Sequence, residues 1–441
     1  MNKMIEQILD LAKRKKAEAA EVILVEGQES PVDFRSGKLH SVEHKEIKGA
    51  GLRVIKNGRI GFSSTTDLEK LPELVDHAVA GAAFGQAAAF KLPAGCQPAG
   101  VRTVDPKLEK FTTARAVAEG NKALGILAQK APELKCDIGL NKKRYQVTLA
   151  NSRGFSGEYD KTSFSYGLSG VGIINGSLTF IGQERRGGKL DLATSDMTAR
   201  IARMYRDAQR TAKLSSGKMP VLFAPEAMSL LWMSIALGVN GKAEQKKTTP
   251  LLGRLGEKML DPRITVSDDP LLPYGLASAP FDDEGVCGSR LDLFYKGVFT
   301  NFIYDLQTAG MLGKRSTGHG SRSFNAQPAP QASNLVIPAG KTRLDQIIRN
   351  MDSGVIVHDL LGAGQSNIAA GDFSVNIGLG FKVEKGKITG RVKDAMVAGN
   401  VYDMLKSRVL EISSETEDVS RNSVFMNTPA MLFDGMNVAA K

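Results

Sequence analysis

"VDFRSGKLHSVEHKEIKGAGLRVIKNGRIGFSS", residues 32–64, decides how the first half of the chain is built. Asn57-Gly58 stands between two β-rich runs. This pair accepts the positive φ that a two-residue hairpin turn demands, so the flanking runs are predicted to pair as a hairpin. Upstream, "AEVILVEG" reads as a strand. Before it, Met4, Ile5, Ile8, Leu9 and Leu11 alternate with charges at helical spacing. Downstream, a helix is predicted over residues 71–84. Pro72 suits its first turn, and Leu71, Leu74, Val75, Ala78 and Val79 form its apolar stripe. "KLPAGCQPAGVRTVDP" then reads as a Pro/Gly linker.

The same order recurs. A helix is predicted over residues 113–130, strands follow across 136–186, and Asn175-Gly176 takes the place that Asn57-Gly58 held. A helix over residues 194–214 closes the block. Residues 1–214 therefore read as an N-terminal domain with an internal duplication, about 1–90 and 106–214. Residues 215–441 read as a second, β-rich domain. Its strands turn at Lys296-Gly297 and Lys385-Gly386, Gly-rich loops separate them, a helix is expected over 401–410, and a strand-like tail follows. The expected fold class is α+β: a duplicated sheet-and-helix domain followed by a barrel-like C-terminal domain.

The 441 residues exceed one ordinary core, and 42% hydrophobic with 24% charged residues is a globular composition. Cys96, Cys136 and Cys287 lie far apart. That spacing argues against a disulfide framework or a CxxC zinc site and suits a reducing compartment. The first 25 residues do not read as a signal peptide. "APEAMSLLWMSIALGVNG", residues 224–241, is the least polar stretch. After Glu226 it holds about fifteen uncharged residues, short of the roughly twenty a membrane span needs, so a buried helix and a cytoplasmic protein are expected. The formal charge of +11 sits in short clusters (Lys13–Arg14–Lys15–Lys16, Lys142–Lys143–Arg144, Arg185–Arg186) and reads as a solvated surface, because no nucleic-acid motif accompanies it.

Histidine is scarce. His40 and His44 lie four apart in a strand-like context; four strand residues span about 13 Å, too far for one zinc. His77 reads as a surface helix residue. His319 lies in the glycine loop "KRSTGHGSRSF" near Ser316 and Ser321, and reads as a loop histidine at a binding surface or interface. His358-Asp359 ends an apolar run and reads as a hydrogen-bonded strand-end pair. "LLGAGQSN" lacks the third glycine of a dinucleotide loop and any GK[ST], so local turns are the reading. Asp282, Asp283 and Glu284 are consecutive. Such acids commonly face water, and together they could hold a divalent cation or an amine terminus.

"APFDDEGV", followed by "SRLDLFYKGVFTNFIYDLQTAGMLGKRSTGHGSR", resembles the TldD/PmbA family, also called TldD/TldE or modulator of DNA gyrase. "GQSNIAAGDFSVNIGLGFKVEKGKITGRVKDAMVAGNVYDML" is similar to the family's other long signature. The resemblance covers nearly the whole chain, and the PmbA/TldE branch matches better. It implies a zinc metalloprotease system acting on small or unfolded peptides in an internal chamber. In that system a TldD-type subunit carries H-E-x-x-x-H on a helix and a cysteine as third ligand.

Under the resemblance, Pro225-Glu226 stands where His-Glu would stand, and Leu230 replaces the second histidine. No cysteine lies near Phe425 and Met426. Glu226 keeps the general-base position without ligands for a metal. The chain is thus expected to hold no cofactor and to be inactive alone. Zinc is expected in a TldD-type partner, and a homodimer is expected to stand in for the pair when the chain is isolated. Asp282, Asp283, Glu284 and His319 are the candidates for lining the peptide chamber. Rival readings are a stand-alone hydrolase using Ser316, His319 and the Asp282/Asp283 cluster, and a DNA-binding, gyrase-modulating protein.

Overall fold

The computed structural model describes residues 3–362 and 366–440; part of the "LLGAGQSN" turn, residues 363–365, lies outside them. The first half opens with helix α1 (Lys3–Arg14), strands β1 (Ala19–Arg35), β2 (Lys38–Val42), β3 (Lys45–Lys56) and β4 (Arg59–Thr65), and helix α2 (Leu71–Gly81). After a short helix α3 (Pro106–Glu109) come α4 (Thr113–Lys130), β5 (Lys135–Asn151), β6 (Ser156–Ile174), β7 (Ser177–Gly187) and α5 (Thr194–Ala208). Helix, long strands, Asn-Gly hairpin and helix thus occur in the same order twice.

Both Asn-Gly pairs make their hairpins. Asn57 and Asn175 take φ of 52° and 49°, joining β3 to β4 and β6 to β7. The two halves fuse into one seven-stranded sheet in the order β4-β3-β1-β5-β6-β7, with β2 paired to the end of β1. The seam is β1 against β5, antiparallel from Glu21↔Asn151 to Phe34↔Ile138. One face of this sheet carries α1 and α2 over Val22, Leu24, Leu52 and Val54, and α4 and α5 over Ile138, Leu140, Tyr166 and Leu168.

Strand β8 (Gly217–Phe223) starts the second sheet, and helix α6 (Pro225–Gly238) follows it. Five strands close into a barrel. β8 lies parallel to Ser353–Leu361, and antiparallel steps lead through Asp372–Glu384, Ala395–Asn400 and Val424–Ala440, which returns to β8. Lys296-Gly297 and Lys385-Gly386 make the expected tight turns. No helix among the described residues is long and apolar enough to cross a membrane.

Several sequence expectations change. Helix α2 stops at Gly81, and residues 82–84 tighten into a 3₁₀ turn. Helix α5 stops at Ala208, because the backbone of residues 210–212 bonds to Arg391 instead. The helix after Asn400 ends at Ser407, where Val409 joins a strand. The cysteine reading is overturned: Cys96 and Cys287 form a disulfide across 191 residues, and Cys136 is free and buried. Local spacing carries no sign of this pairing. The linker after α2 is laid across the C-terminal half, and only that long-range contact brings the two thiols together.

Candidate functional site

Two places carry the chemistry the sequence singled out. The first is the start of α6. Pro225 occupies the first turn, where no amide partner is needed. Leu230, Leu231, Trp232 and Ile235 are all buried in the main C-terminal core. Leu230 is 1% exposed, so the position that would present a second ligand instead fills that core. The Glu226 carboxyl accepts a hydrogen bond from Gln183 Nε2 at 3.3 Å. Burial, with the nearby Glu417 charge, raises its pKa. His358 and Asp359 line the same depression as Glu226, about 360 Å³ in volume. Among the described residues no group of three or more His, Cys, Asp or Glu is arranged to hold a metal. A zinc ion does not fit here: Pro225 has no side-chain donor and Leu230 is apolar.

The second place is a cavity of about 440 Å³ between the uncovered face of the N-terminal sheet and the C-terminal loops. Glycines create it. Phe324 stands on Gly49 and Gly51 of β3, where a Cβ would lie 2.4 Å from its ring or 2.1 Å from its carbonyl oxygen. Phe281 stands on Gly157 of β6, with the same close approach at 2.5 Å. Between these two rings the sheet supplies a floor of Ile23, Val25, Tyr145, Val147, Tyr159 and Lys161.

Asp282, Asp283 and His319 all line this cavity, and Glu284 does not. The acids do not face bulk water as consecutive acids commonly do. Asp282 accepts three backbone amides, from Glu284, Val286 and Gly320, at 2.8–3.0 Å. Asp283 accepts the Arg322 amide at 2.8 Å. The two carboxylates therefore fix the 320–322 backbone as one wall. Burial drives both pKa values up.

Glu284 turns the other way. It takes Arg53 Nη1 at 2.7 Å and the Leu306 amide at 2.7 Å. Arg53 also reaches Glu21, its cross-strand neighbour, and Arg322 Nη2 reaches Glu21 at 2.6 Å. This buried Arg–Glu–Arg–Glu chain ties β1 and β3 to the C-terminal loops. Burial pushes Glu284 up to about 7.

His319 is neither loose nor exposed. Its Nε2 lies 2.9 Å from Asp268 Oδ2, and its Nδ1 lies 2.9 Å from the Thr317 carbonyl and hydroxyl. Ser316 Oγ donates to the Tyr304 carbonyl. Ser316 bonds to a carbonyl and not to the imidazole, and the carboxylate on the imidazole is Asp268 rather than Asp282 or Asp283, so the serine–histidine–aspartate set of the stand-alone hydrolase reading is not assembled. His358 sits within a strand rather than at its end, and no hydrogen bond reaches its ring among the described residues. It packs edge-on against Phe381. Burial first, then the Arg200 charge, pulls its pKa down to about 4. His40, His44 and His77 are exposed.

The sequence reading missed Lys161, Tyr145, Tyr159, Arg322 and Asp268. Their signal is weak, since alternation along β5 and β6 separates two faces without saying that the second is roofed.

Comparisons with known proteins agree with this architecture. Residues 216–440 match the PmbA/TldA metallopeptidase C-terminal domain, and residues 20–82 match PmbA/TldA metallopeptidase domain 1. The chain is 30% identical over 425 residues to the metalloprotease PmbA of Escherichia coli O157:H7, covering 93% of this chain and 90% of that protein. It is 26% identical over 439 residues to a PmbA homologue of Haemophilus influenzae, covering 96% and 92%. The crystal structure of TldE from Thermococcus kodakarensis matches in fold with a TM-score of 0.92 at 24% identity, covering 99% of this chain and all of that one. The chain belongs to the PmbA/TldD family, and within it to the PmbA/TldE type.

Proposed function

We propose that this chain is the non-catalytic subunit of a two-subunit zinc peptidase, forming part of the peptide chamber while a TldD-type partner holds the metal. The observation that carries the reading is the start of α6, where a proline and a core leucine occupy the ligand positions beside Glu226. Zinc brings the pKa of a bound water to about 7, and a lone carboxylate cannot do so. The disposition of Asp282, Asp283 and His319 around one apolar-walled cavity supports a peptide-holding role.

The test is metal analysis and peptide hydrolysis on the chain alone and after a TldD-type subunit is added. The expected result is neither stoichiometric zinc nor cleavage alone, and chelator-sensitive cleavage of an unfolded peptide by the pair. Chelator-sensitive hydrolysis by the isolated chain would overturn the proposal.

A further inference from the structure

On the cavity floor, Tyr145 lies directly across from Lys161, and Val147 across from Tyr159. Directly paired residues share a face, so the four side chains point the same way. Lys161 is 4% exposed, and its Nζ donates to the Ser278 carbonyl at 2.8 Å. Its other two N–H groups have no acceptor among the described residues. The hydroxyls of Tyr145 and Tyr159 make no hydrogen bond among the described residues either. The Asp283 charge acts on all three groups, yet none of them bonds to it directly. Asp283 has committed one oxygen to the Arg322 amide. Lys161 and the two hydroxyls thus line the cavity with N–H and O–H groups that no protein acceptor claims among the described residues, a lining that suits an acceptor-rich group.

The walls say what carries that group. Ile23, Val25 and Val147 are apolar, and Phe281 and Phe324 flank them. A volume of about 440 Å³ exceeds that of about ten water molecules at roughly 30 Å³ each. An inorganic anion would leave these walls wet. An ammonium would meet the charge of Lys161 and find Asp282 already accepting three amides.

We propose that this cavity binds the C-terminal carboxylate of a short peptide, with Lys161, Tyr145 and Tyr159 as donors and the last apolar side chain held between Phe281 and Phe324. The inference rests on the reading of this cleft as part of a peptide chamber. Burial lowers the Lys161 pKa to about 8. An arriving anion favours the charged lysine, so binding near pH 8 takes up protons. An arriving amine would release them.

The test is calorimetric titration of the full chain at pH 8, in two buffers of different ionisation enthalpy. The probes are acetyl-Ala-Leu-Phe, its C-terminal amide, and Ala-Leu-Phe amide with a free amine. The free acid is expected to bind at least ten-fold more tightly than either amide, with proton uptake. Lys161→Met is expected to abolish that preference, and Tyr159→Phe to reduce it several-fold. Tyr159→Phe and the wild-type proton count keep the test decisive should Lys161→Met fail to fold.

Equal binding of acid and amide, preference for the free amine, proton release, or no binding at millimolar peptide would each overturn the inference. If the acid is preferred but the chain with its partner cuts nothing, the peptidase reading fails alone. If the pair cuts peptides but acid and amide bind equally, only the carboxylate site fails.

Discussion

The start of α6 and the cleft between the two sheets have opposite chemistries. At α6 the helix is hydrocarbon on its buried side: Leu230, Leu231 and Trp232 pack into the core, and the Glu226 carboxyl accepts a long hydrogen bond from Gln183. At the cleft, charged groups stay buried at evident cost. Behind its Arg322 wall, Glu21, Arg53 and Glu284 continue a network that well-packed hydrophobic residues could replace with equal or better stability. The difference teaches where to look for function. A helix whose side chains fill the core serves the fold, whereas buried titratable groups around a cavity make that cavity the candidate site.

This contrast can be broken by substitution. The largest effect is expected from Arg53→Met, which leaves Glu21 and Glu284 facing each other without their shared cation. Urea unfolding should show a loss of about 3–5 kcal/mol. A change below about 1 kcal/mol would mean the cleft network is as dispensable as a surface ion pair.

A smaller effect belongs to the Glu226 side. His358 has its folded pKa at about 4, below the unfolded value. A base depressed in this way contributes stability in full above about pH 6.5, and the contribution drains away as pH falls toward 4. His358→Phe should flatten the decline between pH 6.5 and 4, by at most about 3 kcal/mol. Parallel slopes for the two proteins would show that the ring is solvated.

The smallest effect is expected from Glu226→Gln. Burial and Glu417 raise the Glu226 pKa, so the folded state favours the protonated acid. Its contribution is full below the unfolded pKa and is lost as pH rises through the folded one. The variant should melt higher than wild type at pH 8 and level with it at pH 4. A lower melting temperature at pH 8 would reveal a cation partner for Glu226 and erase the contrast with the cleft.

Local chemistry was legible in the sequence. Asn57-Gly58, Asn175-Gly176, Lys296-Gly297 and Lys385-Gly386 each specify a turn by the conformations their own residues accept. Pro225 announces the start of α6 in the same way. The site was legible only in part. Asp282, Asp283 and His319 stood out by composition, but their roles depend on partners far along the chain: Arg322 and Gly320 for the acids, Asp268 for the imidazole. The Cys96–Cys287 bond and the Arg53–Glu284 pair are of the same kind. Lys161 is the hardest case, because an alternating lysine on a strand looks solvated until another part of the chain covers it.

The strand Val424–Ala440 pairs with β8, with Asn334–Val336, with Ala395–Asn400 and with Val409–Arg421. Its bond to β8 joins residues more than two hundred positions apart. During synthesis the ring therefore stays open until this strand leaves the ribosome. Until then β8 and its neighbours present unpaired edges, the kind of surface through which a nascent chain aggregates.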